Sequence, residues 1–563
     1  MGTNKVTLKY LLCVLVLMLP AGLLAQAEFV EYNNPVYNFL ERMDASHVID
    51  KFNSFERPTT RKQVALYLQE VELNRGSLSD ADKKIFDDLK SEFEFELTGT
   101  INNSQSLFGN SGYNFLSQKE KYLFNFIEKD KFNLFINGVA DFQAIHINDR
   151  ENSSSSGASF LKYGGQMRGT IINRIGFSIK GTNGKVWGDR TAALNINDIK
   201  FAYKYNVDPT VHTGGDFVDN TEGYLSADLD IARFKLGRDR KMIGYGPVPV
   251  ILGDNFPNFD YLQFDFNYKF FSFSYLHGKL NGIITAYTDS VQGSIKNSED
   301  KFLGYHRFGF NISKDFSFGL GEMIIYSGRS IEFTYLNPFN YYKSAEHANQ
   351  DRDNSLLFFD FQNNTFAGLK INGTVLIDDI DFGKVGKGWF GNQLLYNLTL
   401  YSSNLYRFAP VEFYLQYIRC EPYVYTHRIH NNGYTTFNYN LVNPILPNSD
   451  KFILRINYNP YYRLKFSLDV NFSRHGANEL NDDGTVKTNY GGDVLVGHRE
   501  FDKTEVYFLE GEREYYRSIS FYINYEPVNN YYFILNLVYE NNSLANSIRQ
   551  KYVNGFITLS FRI

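Results

Sequence analysis

The chain has 563 residues, of which 43% are hydrophobic and 17% are aromatic, with 51 Phe and 42 Tyr. The formal net charge of −5 gives no general electrostatic argument for nucleic-acid binding. After the N-terminal segment there is no run of about 20 apolar residues, which excludes a helical membrane protein and leaves a soluble fold or a β-barrel.

The N-terminal segment has the pattern of a secretory signal peptide. Lys5 and Lys9 precede an apolar run at residues 11–24. Residues 25–27 are Ala-Gln-Ala, the small-x-small form that signal peptidases accept. We therefore predict that residues 1–27 are a signal peptide and that the mature chain is exported.

Residues 28–95 carry three segments with helical periodicity, in which apolar side chains recur at i, i+3, i+4 and i+7. Each segment follows residue types that are typical of a helix start. The residues at these starts are Asn34 with Pro35, Thr60 with Gln63 in a capping-box spacing, and Ser79. The pattern predicts a small helical module over residues 28–95.

Beyond residue 95 the hydrophobic period changes from helical to two. In segment 132–142 one face is apolar, and the other carries Asn133, Asn137 and Asp141. The same alternation recurs in predicted hairpins at 451–473 and 519–539. Soluble β-sandwiches also alternate in this way, so alternation by itself leaves that class open.

Export, the aromatic excess, strands of about 10 residues and a polar second face together favour an outer-membrane barrel. The terminal segment 555–563 alternates as a final barrel strand should. Short turns predicted near 459–462 and 526–530 flank a long polar segment at 475–514, and barrels combine short turns and long loops in this way. We predict a mostly β fold in which residues 96–563 form a transmembrane antiparallel β-barrel of about 16 to 20 strands.

No catalytic or metal-binding motif stands out in the sequence. His427 and His430 lack the spacing of metal ligands and are interpreted as loop residues. Asp378, Asp379 and Asp381 are interpreted as acidic residues at a strand end, since Asp378 faces away from the other two. The sequence therefore predicts neither an enzyme nor a cofactor.

Short motifs occur in order along nearly the whole mature chain. They are YNFLER at 37–42, RPTTRKQV at 57–64, GRDR at 237–240, GYG at 244–246, DNFP at 254–257, NPF at 337–339, DN at 353–354, IDDI at 377–380 and EGERE at 510–514. In this order they resemble the Wzi-type capsule-assembly proteins, in the form common among Bacteroidetes. The resemblance implies an outer-membrane barrel of about 18 strands with a periplasmic helical bundle and cell-surface loops. It also implies a lectin, and not an enzyme, that attaches exported capsular polysaccharide to the cell.

Polysaccharides are held by planar hydrogen-bonding side chains and by aromatic faces. The predicted external loops supply both, in the long polar segment and in a second loop with Arg428, Asn431, Asn432 and Tyr434. The candidate ligand-binding residues lie in the long polar segment and in a stretch expected to form a lumen loop. In the long polar segment these are Asn478, Asp482, Asp483 and Tyr490, and in the Gly- and Pro-rich stretch 237–262 they are Arg238, Arg240, Tyr245, Asp254 and Asn255. The stretch lacks the phosphate-loop pattern, and we expect it to fold into the lumen, where it closes the pore or lines a glycan path.

The expected partners are surface polysaccharide, outer-membrane lipid and, during biogenesis, the barrel-assembly machinery, with no nucleic acid. Two other functions stay open at this point. One is a passive porin for sugars or oligosaccharides, and the other is a surface adhesion or gliding component. A conductance measurement in planar bilayers distinguishes these functions, since a porin gives stable open channels and a barrel with a closed lumen does not.

Overall fold

The computed structural model of the protein describes residues 26–109, 112–202, 217–289, 293–403, 410–442 and 444–563. Residues 1–25, most of the predicted signal peptide, lie outside the described residues. Within the described ranges, eighteen antiparallel strands form a closed barrel, which confirms the predicted fold class.

Strands β1 to β18 span, in chain order, Phe132–Asp149, Ser154–Ile171, Ile175–Gly188, Phe217–Asp228, Ala232–Asp239, Phe259–Tyr268, Phe271–Asp289, Gly293–Asn311, Phe316–Ser327, Asn354–Phe366, Leu369–Asp379, Gln393–Ser402, Val411–Cys420, Ser449–Tyr461, Leu464–Ala477, Glu512–Val528, Tyr531–Ser543 and Arg549–Arg562. At one end of the barrel, the turn end, most connections are short; at the other, the loop end, several are long. One sequence prediction was wrong here: the single strand expected at residues 225–236 is the end of β4, a turn and the start of β5.

The barrel closes between its first and last strands. Strand β18 pairs with β1 from Val139 upward, and the short strand Phe124–Glu128 pairs with the remaining part of β1. The amide of Ile563 donates to the carbonyl oxygen of Gly138 at 2.9 Å. Because every barrel strand has a partner on both sides, the sheet presents no free edge.

The two faces of the barrel have opposite polarity. Along the exposed outer face most side chains are apolar, as the period of two predicted. Examples are Phe472, Ile519, Phe521, Phe533 and Phe561. Asn133 and Asp141 of β1 lie on the opposite, lumen-facing side and are buried.

The helical module is built from α1 (Val36–Ala45), α2 (Arg61–Leu73), α3 (Asp80–Glu92) and α4 (Glu94–Thr98). Two predicted caps are present: the hydroxyl of Thr60 accepts from the amide of Gln63 at 3.2 Å, and that of Ser79 accepts from the amide of Asp82 at 3.1 Å. Helix α4 was not predicted. Within the described part of the chain, no helix is both long and apolar enough to cross a membrane.

Four more short helices lie in the long connections at the loop end. Helices α5 (Arg190–Ala193) and α6 (Asn197–Lys200) follow β3, and α7 (Phe333–Leu336) and α8 (Tyr342–Ala348) follow β9. Three pairs of short strands are local: Ser104–Ser106 with Glu120–Tyr122, Thr435–Thr436 with Tyr439–Asn440, and Glu479–Leu480 with Val486–Thr488.

The helical module covers the turn end and is held there by buried ion pairs. Lys370 of β11 is fully buried, with its ammonium 2.6 Å from the carboxylate of Asp44 and 2.9 Å from that of Glu41. Arg42 of α1 contacts Glu412 of β13 at 2.7 Å. These charges lie on the lumen side of the strands, so the module is bonded to the inside of the barrel wall.

Replacing Lys370 by methionine should destabilise the protein by about 3–5 kcal/mol, since two buried carboxylates lose their counter-charge. The measurement is thermal or denaturant unfolding in detergent micelles. Lys83→Met is the matched control, because Lys83 pairs with Asp80 at the exposed surface of α3, where an ion pair contributes about 0–1 kcal/mol. Equal stability of the two variants would contradict the assigned role of Lys370.

Candidate functional site

The lumen is filled by chain segments that enter from both ends. The N-terminal segment contributes Glu56–Arg57, which pairs with Met242–Ile243 of the stretch between β5 and β6. The ring of Phe55 packs on that of Tyr245, with 4.9 Å between the centroids. A two-stranded contact therefore crosses the interior of the barrel.

Barrel side chains hold this contact in place. The hydroxyl of Tyr245 donates to Asp360 of β10 at 2.9 Å. The same carboxylate receives two hydrogen bonds from Arg307 of β8, each of 2.8 Å. The Arg307 guanidinium also lies 4.5 Å from the centre of the Phe55 ring. Tyr245, a predicted ligand residue, is thus buried and bonded within the barrel.

A second inward segment, residues 421–442 and 444–448 between β13 and β14, packs on the first. Asp378 of β11 accepts from the amide of Tyr425 at 2.7 Å. The rings of Tyr425 and Tyr434 stack at 5.1 Å, and their hydroxyls donate to the carbonyl oxygens of Val250 and Ile251. With the barrel wall these segments form an apolar cluster, which includes Phe55, Ile243, Val250, Leu252, Tyr305 and Val442.

The other candidates in stretch 237–262 divide between two environments. The guanidinium of Arg240 donates to Asn258 at 3.1 Å and to the Tyr32 hydroxyl at 3.3 Å inside the lumen. It also donates to the backbone carbonyl of Asp254 at 3.3 Å. Asn255 has a buried side-chain oxygen for which no hydrogen-bond partner is present among the described residues.

Arg238 does not face the lumen, contrary to the sequence-based hypothesis. In β5 it shares the outer face with the exposed Phe234 and Leu236, while Lys235 between them is buried. Its guanidinium pairs with Asp260 on the same outer face at 3.0 Å. The alternation of the strand therefore assigns this ion pair to the outer rim.

The candidates between β15 and β16 mostly support the loop itself. Asn478 is buried, and its side-chain oxygen accepts from the amides of Tyr490 and Gly492 at 2.7 and 3.3 Å. Tyr490 is also buried. Asp483 accepts from the amide and hydroxyl of Thr485 at a hairpin tip, and the neighbouring Asp482 is exposed.

The part of the lumen lined by β1–β5 and β15–β18 contains a polar cavity of about 570 Å³. Its charged side chains are engaged with one another. The ammonium of Lys162 lies 2.7 Å from Asp141 and 2.8 Å from Asp198, and that of Lys180 lies 2.9 Å from Glu31. Residues of the lining include Tyr32, Asn34, Gln166, Tyr224, Asn524 and Arg562. The cavity is suited to water or to a hydroxyl-rich ligand.

An exposed aromatic surface, which we call the loop platform, lies at the loop end and was missed by sequence reasoning. It consists of Tyr507, which is 56% exposed, the half-buried Trp389 and, in the same loop as Trp389, Phe382, which is 82% exposed. The amide of Val506 donates to the carbonyl of Gly388, which joins the two loops. Gly388 has a φ of +70° and lies against the Tyr507 ring, so a side chain there would be strained and would clash.

One cation lies over an aromatic ring of the loop platform. The Lys384 ammonium lies 4.1 Å from the centre of the Trp389 ring. Phe390, the next residue in the chain, stacks on His498 with 3.5 Å between the ring centres. This contact also joins the two loops. Isolated aromatic residues in polar loops were the signal available in the sequence.

Comparisons with known proteins concern the fold. No protein-family model matches the chain, and no curated protein matches its sequence. The chain is similar to Wzi, an outer membrane protein involved in group 1 capsule assembly in Escherichia coli and described as a carbohydrate-binding β-barrel. The TM-score is 0.54 at 11% identity, over 95% of this chain and 99% of that one.

Two outer-membrane proteins of Pseudomonas aeruginosa are more distant. OpdK has a TM-score of 0.42 and OccK8 (OprE) one of 0.44, both at 11% identity over 76% of this chain and 98% of theirs.

Glu31 makes a pH-dependent contribution to stability. The Lys180 ammonium, against the opposing effect of burial, lowers the pKa of Glu31 from its usual 4.5 to about 2. A lowered pKa in the folded state stabilises the protein above the unfolded-state value, and this contribution is lost as the pH falls from about 4.5 to about 2. The stability difference between wild type and Glu31→Gln should therefore be largest above pH 5 and should shrink toward pH 2.

Unfolding of both proteins in micelles across this pH range measures the effect. In protein that already carries Lys180→Met, the stability change caused by Glu31→Gln should depend less on pH. The remaining cation, Arg562, lies 3.8 Å from Glu31 and is more distant than Lys180. A difference between wild type and Glu31→Gln that stays constant with pH would contradict the assignment.

Proposed function

We propose that this protein is an outer-membrane β-barrel that binds surface polysaccharide at its loop end, and that it does not serve as an open pore. The observation that carries the proposal is the filled lumen, in which the N-terminal segment pairs with the stretch between β5 and β6. A passive porin needs a water-filled path, whereas a binding protein gains from loops that are held rigidly.

The loop platform supports polysaccharide as the ligand. Aromatic faces cover the apolar side of sugar rings, and nearby amide, hydroxyl and charged groups supply hydrogen bonds. Wzi, which shares the fold, is described as a carbohydrate-binding barrel. Both observations support polysaccharide binding at the loop end.

A sugar porin is the second candidate, favoured by the polar cavity of about 570 Å³ between β1–β5 and β15–β18. Helix α3 borders this cavity at the turn end through Asp88, which pairs with Arg463 at 3.2 Å. Helix α6 borders it toward the loop end through Asp198. These contacts favour an enclosed chamber over a through-channel.

Purified protein in planar lipid bilayers should give no stable open-channel current. Replacing residues 244–253 by a short Gly-Ser linker should produce current, because it removes Tyr245, Val250 and Leu252 from the apolar cluster. Stable ohmic channels from the wild-type protein would overturn the closed-lumen proposal and favour the porin.

The double variant Phe382→Ala/Tyr507→Ala should bind cell-derived polysaccharide about tenfold more weakly, since two aromatic contacts of about 0.7 kcal/mol each correspond to that factor. Isothermal titration with polysaccharide released from the same cells measures binding. The fraction of cell-bound polysaccharide in a complemented deletion strain gives the cellular readout.

Leu73→Ala is the matched control, since Leu73 is an exposed apolar residue of the helical module at the turn end. The control should bind and retain polysaccharide as the wild type does. A deletion strain that keeps wild-type levels of cell-bound polysaccharide would overturn the proposed function.

A further inference from the structure

One long connection of the barrel lies against the outside of its wall. We call residues 328–353, between β9 and β10, the outer flap. In β8, Tyr305 faces the lumen, where its hydroxyl donates to Glu56 at 2.9 Å. Gly304 and His306 therefore point outward. The hydroxyphenyl ring of Tyr342, from the outer flap, lies directly over Gly304.

The outer flap covers polar groups of the barrel wall that would otherwise face outward. Glu322 of β9 lies 3.1 Å from the imidazole of His306 on the outer face, and both side chains are buried. The amide of Tyr342 donates to Glu322 at 2.9 Å. The hydroxyl of Tyr275 of β7 donates to the carbonyl of Leu336 at 3.1 Å. The wall and the flap are thus joined by hydrogen bonds.

Internal contacts fix the shape of the outer flap. Asp353 accepts from the Tyr335 hydroxyl and from the Arg329 guanidinium, each at 2.6 Å. Arg329 also donates to Glu332 at 2.7 Å. Tyr335 and Tyr342 are fully buried against the wall. The side chains on the other face of the flap therefore have a defined direction, away from the barrel.

The part of that outward face formed by residues 331–341 is largely apolar. Phe333 is 87% exposed and Phe339 is 67% exposed, and Ile331 and Tyr341 are exposed as well. The Phe339 ring stacks on Phe273 of β7 at 4.9 Å. Phe273 belongs to the row of outward-facing aromatic residues on β7, β8 and β9, which also contains Phe271, Phe308, Phe310 and Phe318. Through Phe339, the flap thus adjoins the apolar outer surface of the barrel.

We propose that the outer flap is an interfacial anchor, whose Phe333 and Phe339 insert among lipid acyl chains at the loop-end border of the bilayer. Exposed apolar clusters of this kind are rare on water-facing surfaces, and aromatic residues are enriched at membrane interfaces. Its buried tyrosines hold the flap on the wall, and its phenylalanines face the lipid. The inference rests on the membrane location in the proposed function and is independent of polysaccharide binding.

Fluorescence quenching by brominated lipids tests the anchor. The native Trp187 and Trp389 are replaced by phenylalanine, and one tryptophan is then introduced by Phe333→Trp, Phe339→Trp, Phe521→Trp or Phe501→Trp. Phe521 is a lipid-facing residue of β16 and Phe501 is exposed in a loop at the loop end, so they are the positive and negative controls. Each variant is reconstituted in phosphatidylcholine vesicles with or without bromine on the acyl chains.

Phe333→Trp and Phe339→Trp should be quenched at least about twofold more strongly than Phe501→Trp, and to an extent near that of Phe521→Trp. If Phe521→Trp is quenched while both flap variants behave like Phe501→Trp, the anchor is wrong and the membrane location stands. If Phe521→Trp is not quenched, the membrane location fails and the anchor fails with it. Flap variants that are shielded from both brominated lipid and aqueous acrylamide would indicate contact with a second copy of the chain, which would also overturn the proposal.

Discussion

The backbone contact between Glu56–Arg57 and Met242–Ile243, inside the lumen, is the constraint on which the rest of the structure depends. An 18-stranded barrel encloses more volume than its own inward side chains fill, so a closed barrel of this size needs further chain inside it. Here the filling comes from both ends. The strand pairing satisfies backbone groups that would otherwise be buried without partners, and the Arg307–Asp360 pair ties the contact to the wall.

This contact divides the interior into two chemically different halves. Toward β6–β14, tyrosine, valine and isoleucine from the inward segments form an apolar core of the kind found in soluble domains. Toward β1–β5 and β15–β18, the lumen stays polar, and its charges form ion pairs between adjacent strands and with the N-terminal segment. The apolar half provides rigidity, because the loops that cross it are packed on the wall. The loop platform gains rigidity through β11 and β12, which carry the loop of Trp389 and contribute Leu376 and Leu395 to the apolar cluster.

Local signals in the sequence predicted local structure well. The caps at Thr60 and Ser79 depend on neighbours within three residues, and strand alternation depends on burial of one face, so both were readable. The filling of the lumen could not be predicted, because it depends on contacts between residues far apart in the chain, such as Phe55 with Tyr245. The roles of the predicted ligand-binding residues likewise could not be predicted from the sequence. Asn478 and Arg238 have side chains suited to a ligand, yet one bonds to backbone within its own loop and the other pairs on the outer rim.

At the outer flap, an interruption in the apolar pattern of the barrel's outer face indicates a feature of the tertiary structure. In β9 the outward positions are Phe318, Leu320, Glu322, Ile324 and Tyr326, so one carboxylate interrupts an apolar face. On β8 the position paired with Glu322 is His306, which is also polar. A charged side chain on a lipid-facing surface is costly, so two polar residues at paired outward positions require a cover. The long connection that follows β9 supplies it, with Tyr335 and Tyr342 buried against the wall and Phe333 exposed on the opposite side. Paired polar residues on the apolar face of adjacent predicted strands therefore indicate a loop that folds over the outside of a barrel.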